Sequence, residues 1–367
     1  MGRTTGIERT AGVSQDAVGT GHGDRQETPA GAWPPGDVPL DWEWGLAPLE
    51  APSIFFLDIA EPGALERARR LRKSPGAILV ALSALQPPAD LDIDVFDLAL
   101  TSAALEGPDW VSVADLDRAV RAVGGAVDRC PRAALMLSQS LRIVGRLEFE
   151  AGLCVESMAY STLLGGAEFR TWLGSRPERP TPPSEDGPPV LIESDGEILR
   201  LVLNRPRARN AISAAMRDAL VEALALGLYT PEVQVRLEAR GACFSTGGEL
   251  TEFGSQADHA LAHQIRTSRS PARLLHRLGM RATARVHGAC IGSGIEVPAA
   301  AGRLIAAPDA WFQLPEVSMG LIPGAGGVVT ISRRIGRHRT LFMALSARRI
   351  GAARARDWGL VDALEAP

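Results

Sequence analysis

Hydrophobic and polar positions along this chain alternate between two kinds of pattern. Short stretches rich in β-branched and aliphatic residues, bounded by turn formers, predict strands at Ser53 to Ile59 (SIFFLDI), Ala77 to Leu82 (AILVAL), Val233 to Glu238 and Ala282 to Val286. Val190 to Leu203 predicts two further strands around a turn at Ser194-Asp195-Gly196. Between them, apolar residues recur at three- and four-residue spacing. This predicts helices over Gly63 to Lys73, through most of Val113 to Trp172, from Ser213 to Leu226 with Ser213 as N-cap, and over roughly Ala257 to Arg277. Strands that alternate with helices predict an α/β fold whose sheets are covered by helices.

The same pattern divides the chain. Residues 1–50 show no period and are rich in Gly, Thr, Asp and Pro, which reads as a disordered arm. Residues 51–173 carry a β-α-β unit followed by helices. Residues 174–189 (GSRPERPTPPSEDGPP) hold six prolines, a density that neither a helix nor a sheet interior accepts, and read as an extended linker. Residues 190–367 form the last unit.

Composition narrows the partners. The formal charge of −4 gives no reason to expect nucleic acid or an anionic membrane. Lys73 is the one lysine, so arginines and backbone amides are left to hold any anionic ligand. Cys130, Cys154, Cys243 and Cys290 are widely spaced, which fits reduced thiols better than a disulfide framework or a zinc site. Without a leader-like start or a long apolar run, the expected location is cytoplasmic, with no membrane partner. No His/Cys/Asp cluster has metal-ligand spacing, so no metal is expected.

Two glycine-bearing turns follow strands: Ser245-Thr246-Gly247-Gly248-Glu249, and Gly288 to Gly294 (GACIGSG), which opens toward an apolar helix near Ile295. Small residues there let backbone approach a ligand, and first-turn amides are free to donate. Taken singly, each turn is equally well a plain strand–helix connection. Neither has the spacing of a phosphate-binding nucleotide loop. Glu296 and Glu316 lie in apolar settings, Ile295-Glu296-Val297 and Pro315-Glu316-Val317, where an unpartnered carboxylate is uncommon. For either alone, a solvated surface role is the ordinary alternative.

Five segments together carry a resemblance. LNRPRARNAIS (203–213), CFSTGGEL (243–250), HGACIGSGIE (287–296), FQLPEVSMGLIPGAGG (312–327) and ARDWGLVDAL (355–364) resemble, in order, signatures of the crotonase (enoyl-CoA hydratase/isomerase) superfamily. The resemblance covers about residues 188–367 and implies the crotonase (ClpP-like) spiral of β-β-α repeats. It implies an oxyanion hole made by the amides of Gly248 and Ser293, and coenzyme A adenine lying against Thr246, Gly247, Gly248, Glu249 and Leu250. It also implies acid–base roles for Glu296 and Glu316. Keeping both glutamates favours a hydratase or dehydratase of an acyl-CoA or acyl-carrier thioester. The alternatives are a thioesterase, isomerase, decarboxylase or cofactor-free oxygenase on the same fold, or a binding protein that has lost catalysis. No cofactor is implied beyond the coenzyme A of the substrate, and a homotrimer or hexamer is the expected assembly. Ser293 in place of the middle glycine, and Glu249 in place of the usual aspartate, depart from the pattern.

Family members continue past GLVDxV with about three more helices, whereas this sequence stops at Pro367. Residues 115–180 resemble those helices. The N-terminal βαβ plus helical segment is therefore read as a degenerate or permuted crotonase copy, its helices packed on the C-terminal core, the alternative being an unrelated helical appendage.

Overall fold

The computed structural model describes residues 53–177 and 187–366. The disordered-arm reading of 1–50 and most of the linker reading lie outside the described residues.

Ser53–Asp58 (β1), Ala64–Leu71 (α1) and Ala77–Ser83 (β2) form the expected β-α-β unit. Two strands too short to show a period, Leu98–Thr101 (β3) and Val111–Ser112 (β4), extend it to a parallel sheet of order β1-β2-β3-β4. β2 and β3 are apolar almost throughout because both faces are covered. One face packs on α1 and Phe96, and the other joins the main core.

Four helices follow: Leu116–Arg129 (α2), Pro131–Val144 (α3), Phe149–Leu164 (α4) and Ala167–Ser175 (α5). Asp115 caps α2 by accepting from the Arg118 amide at 2.8 Å. α5 runs two residues into the segment expected to be linker, since nothing before Pro177 breaks it.

In the second half, Val190–Ser194 (β5) and Ile198–Leu203 (β6) pair antiparallel around the Asp195-Gly196 turn. The helix Ala214–Tyr229 (α6) starts where Ser213 Oγ accepts from the Met216 amide at 3.2 Å. Gln234–Ala239 (β7) is followed by His259–Ser268 (α7) and Pro271–Leu278 (α8). The single helix expected over 257–277 is thus two. Proline at 271 cannot supply the amide a continuous helix needs, and Ser270 Oγ instead caps α8 through the Arg273 amide at 3.2 Å.

Ala282–Val286 (β8) leads to Ala289–Ile291 (β9) and a single turn of helix, Ser293–Glu296 (α9), which Pro298 stops short. Arg303–Ala306 (β10) and Trp311–Gln313 (β11) precede Gly327–Ser346 (α10), which is interrupted at Gly336. Ile350–Gly351 (β12), Ala352–Trp358 (α11) and Ala363–Leu364 (β13) complete the order. A six-stranded sheet, β13-β10-β8-β7-β6-β5, lies beside a three-stranded one, β12-β11-β9. Repeated strand–strand–helix units stepping between these two sheets make the spiral.

The two halves share one core. Val328, Val329, Ile331 and Ile335 of α10 are fully buried in the same cluster as Leu137, Leu141 and Val144 of α3 and Leu153 of α4. At Gly152 the helices α4 and α10 approach so closely that a Cβ would lie 3.0 Å from the Val329 side chain. The upstream helices therefore cover α10, at the place where it begins beside Glu296.

Candidate active site

β9 ends at Gly292, whose φ of 52° turns the chain sharply into α9. A side chain there would strike Glu316 Oε1 and lie 3.8 Å from Glu296 Oε1, so both carboxyls converge on this one glycine. Ser293, the first residue of α9, has no intrahelical acceptor for its amide.

The other turn is pinned by a short parallel bridge. Ile212 donates to the Gly247 carbonyl at 2.8 Å, and Glu249 donates to the Ile212 carbonyl at 3.0 Å. The two bonds straddle Gly248 and leave its own N–H out of the bridge. Gly247 takes φ 91°, and a Cβ there would lie 2.8 Å from the Ile291 carbonyl oxygen, so the two turns touch through backbone. Gly248, Ser293, Glu296 and Glu316 all line one cavity of about 250 Å³.

The structure brings together the four residues expected to carry chemistry and separates the rest. Glu296 is 2% exposed, and its Oε2 accepts from the amides of Ala325 at 2.7 Å and Gly327 at 3.0 Å. Burial pushes its carboxyl up to about 7, against the pull of those amides toward the charged form. Glu316 is 8% exposed, and its Oε2 is buried without a partner among the described residues. Burial first, then the charge of Glu296, holds it well above the usual carboxylate range.

Of the other expected residues, only Gly248 reaches this cavity. Thr246 is tied to the Arg209 carbonyl through its amide at 3.1 Å. Glu249 lines a neighbouring cavity, accepts from Thr251 Oγ1 at 3.1 Å and faces Arg205 at 3.5 Å. The Leu250 carbonyl accepts from Arg176.

Two further carboxyls line the cavity, Glu252 near its mouth and Glu156, and the second of these was missed at the level of sequence. Glu156 of α4 accepts from the amides of Gly326 at 2.6 Å and Val328 at 2.8 Å, capping α10 across 170 residues of chain. Burial and the nearby Glu296 raise its pKa well above the ordinary value. Tyr160, one turn further along α4, packs its ring on Gly324, and Arg266 of α7 lies 4.6 Å from the centre of that ring. A signal existed in the helical pattern of LEFEAGLCVESMAYSTLL, where Glu156 falls on the apolar face. What it would cap could not be seen.

Two amides with no acceptor among the described residues thus sit on adjoining turns, in one cavity with buried carboxyls, inside an α/β spiral. Comparison with known proteins gives the class of this fold. The enoyl-CoA hydratase/isomerase family model matches residues 193–366. Mevalonyl-coenzyme A hydratase SIDH of Beauveria bassiana is 33% identical over 191 residues, covering 48% of this chain and 68% of its own length. The putative enoyl-CoA hydratase/isomerase YngF of Bacillus subtilis is 31% identical over 184 residues, covering 49% and 71%. A solved enoyl-CoA hydratase of Mycobacterium smegmatis matches 49% of this chain and 71% of its own at 31% identity, with a TM-score of 0.46. The chain belongs, through its C-terminal half, to the enoyl-CoA hydratase/isomerase (crotonase) family.

Proposed function

We propose that this protein adds water across the double bond of a 2-enoyl thioester of coenzyme A, or removes it in the reverse direction. One observation carries the reading. Two buried glutamates converge on the turn that presents one free amide, in the same cavity as a second free amide on the adjoining turn.

The thioester oxygen accepts from the Gly248 and Ser293 amides. Charge builds on that oxygen as the enolate forms, and preorganised donors in a dry site stabilise it by several kcal/mol. The two carboxyls divide the proton work by environment. Glu296, near 7 and held by two amides, is the one poised to ionise and draw a proton from water as its oxygen bonds the β-carbon. Glu316, whose carboxyl burial holds well above the usual carboxylate range, delivers its proton to the α-carbon. The proton taken by Glu296 and the proton given by Glu316 balance one water added. The backbone from Thr246 to Leu250 is read as the cradle of the coenzyme A adenine.

Several relatives are hydratases by name, among them the mevalonyl-coenzyme A hydratase, and others are hydratase/isomerases, which supports hydration. A panel of 2-enoyl-CoA thioesters, followed by ultraviolet absorbance of the conjugated double bond, tests it. At least one thioester is expected to lose that absorbance in proportion to enzyme. A panel in which every thioester keeps it, and no 3-hydroxyacyl-CoA gains it, removes the hydratase reading.

A further inference from the structure

The cavity holds a cation that the reaction above does not use. Arg266 reaches it from α7, and its guanidinium is fixed on three sides. It lies over Tyr160 at 4.6 Å, its Nε donates to Ser157 Oγ at 3.2 Å, and its Nη2 donates to the Ser157 carbonyl at 3.4 Å and to Ser161 Oγ. Stacking and these bonds hold the planar group in one orientation, as bidentate recognition of a carboxylate requires. These bonds come from Nε and Nη2 and none from Nη1, and no carboxylate forms an ion pair with the group among the described residues.

The carboxyls nearby do not serve as its partner. Glu156 turns both oxygens to the amides of α10, and Glu296 turns Oε2 to Ala325 and Gly327. Arg269, at the exposed rim of the same cavity, likewise has no ion pair among the described residues. Held in a partly buried pocket, a guanidinium with an unfilled donor is stabilised by an anion that enters with the ligand.

We infer that Arg266 is a specificity-determining residue, and that the acyl group of the substrate ends in a carboxylate bound by its free guanidinium edge. The inference rests on the thioester reading of the site and adds the class of acyl chain. Tyr160, whose ring stacks on the Arg266 guanidinium, lines the same cavity.

Binding of unreactive saturated thioesters tests this without requiring turnover. Glutaryl-CoA and pentanoyl-CoA have the same five-carbon acyl chain and differ in a terminal carboxylate. By titration calorimetry on the full chain, glutaryl-CoA is expected to bind at least tenfold tighter than pentanoyl-CoA. Arg266→Met is expected to erase the difference, and Arg266→Lys to restore part of it. A structural role for Arg266 would weaken both ligands alike and leave their ratio in place, which overturns the inference. Equal affinity of the wild type for both, or no binding of either, overturns it as well. If glutaryl-CoA is preferred through Arg266 but no 2-enoyl thioester is hydrated, the hydration reading falls and the carboxylate reading stands.

Discussion

The protein contains a parallel four-stranded sheet and a larger pair of mixed sheets, of unequal chemical content. In the sheet formed by β1 to β4, strands end in short connections, and the one buried carboxylate, Asp97, is consumed by structure: it accepts from the Leu79 amide at 2.7 Å and pairs with Arg72 and Arg142. In the larger sheets of residues 190–364, two strand ends turn at Gly247 and Gly292, and the amides just past those turns are left unspent at Gly248 and Ser293. Burying a sheet makes a stable layer in either case. What makes a site is a turn that leaves one of its donors unspent. Yet the cavity is not built by that half alone, because Glu156, Ser157 and Tyr160 come from the other one.

The largest effect should follow from separating the two units. α10 presents Val328, Val329, Ile331 and Ile335 to helices α2 to α4, and removing those helices exposes a contiguous apolar face and uncaps α10. Residues 186–367 expressed alone are expected to be insoluble or inactive, and co-expression of residues 51–180 should restore soluble, active protein. A soluble and fully active C-terminal piece would show that the upstream half is an appendage.

Next in size are the two glutamates. Glu296→Gln and Glu316→Gln should each lower turnover on a 2-enoyl-CoA by roughly a hundredfold or more, with circular dichroism unchanged. Activity should fall as pH drops below about 7, where Glu296 takes up its proton. Stability runs the other way. The folded carboxyl titrates near 7 and the unfolded one near its ordinary 4.5, so the native state binds the extra proton between these values. The contribution of Glu296 to stability is therefore fully present below 4.5 and is lost as pH rises through about 7, and Glu296→Gln should flatten that share of the slope in thermal melts. A variant that keeps full activity takes its glutamate out of the chemistry.

Glu156 sharpens the comparison from the other side. Replacing it with Ala leaves the buried amides of Gly326 and Val328 unsatisfied, at about 1–3 kcal/mol for each. Denaturant melts should show that loss. Wild-type stability in Glu156→Ala would mean that α10 does not depend on the upstream half for its cap.

How much of this was legible follows the range of each interaction. The glycine turns, Glu296, Glu316 and the Ser213 cap are local features, so the chain spells them out. The Ser270-Pro271 break was equally local and was overlooked inside an otherwise helical run. β3 and β4, at four and two residues, are too short to carry a period. Glu156 is of a different kind, because its partners lie 170 and 172 residues away and only the packing of α4 on α10 assigns them. Arg266 likewise depends on Ser157 and Tyr160, more than 100 residues upstream. The departures at Ser293 and Glu249 were visible, but the surroundings of each were not. Glu249 proves to be engaged with Arg205 and Thr251.

Ser293 gives the smallest predicted effect. In the proposed mechanism its amide works and its side chain does not, and its Oγ is buried with no partner among the described residues. A buried hydroxyl without a hydrogen bond is a net cost, so Ser293→Ala should stabilise the fold by roughly 1 kcal/mol, or about 2 °C in Tm. The alanine Cβ occupies the space of the serine Cβ and leaves the α9 backbone in place, so the amide stays aimed at the cavity. Turnover of the best 2-enoyl-CoA should shift by less than about threefold, against the hundredfold expected of the glutamates. A large loss in Ser293→Ala would mean that the hydroxyl itself holds the water or the thioester oxygen. The departure from glycine would then be a working part of this site, and the oxyanion hole would have to be redrawn around a side-chain donor.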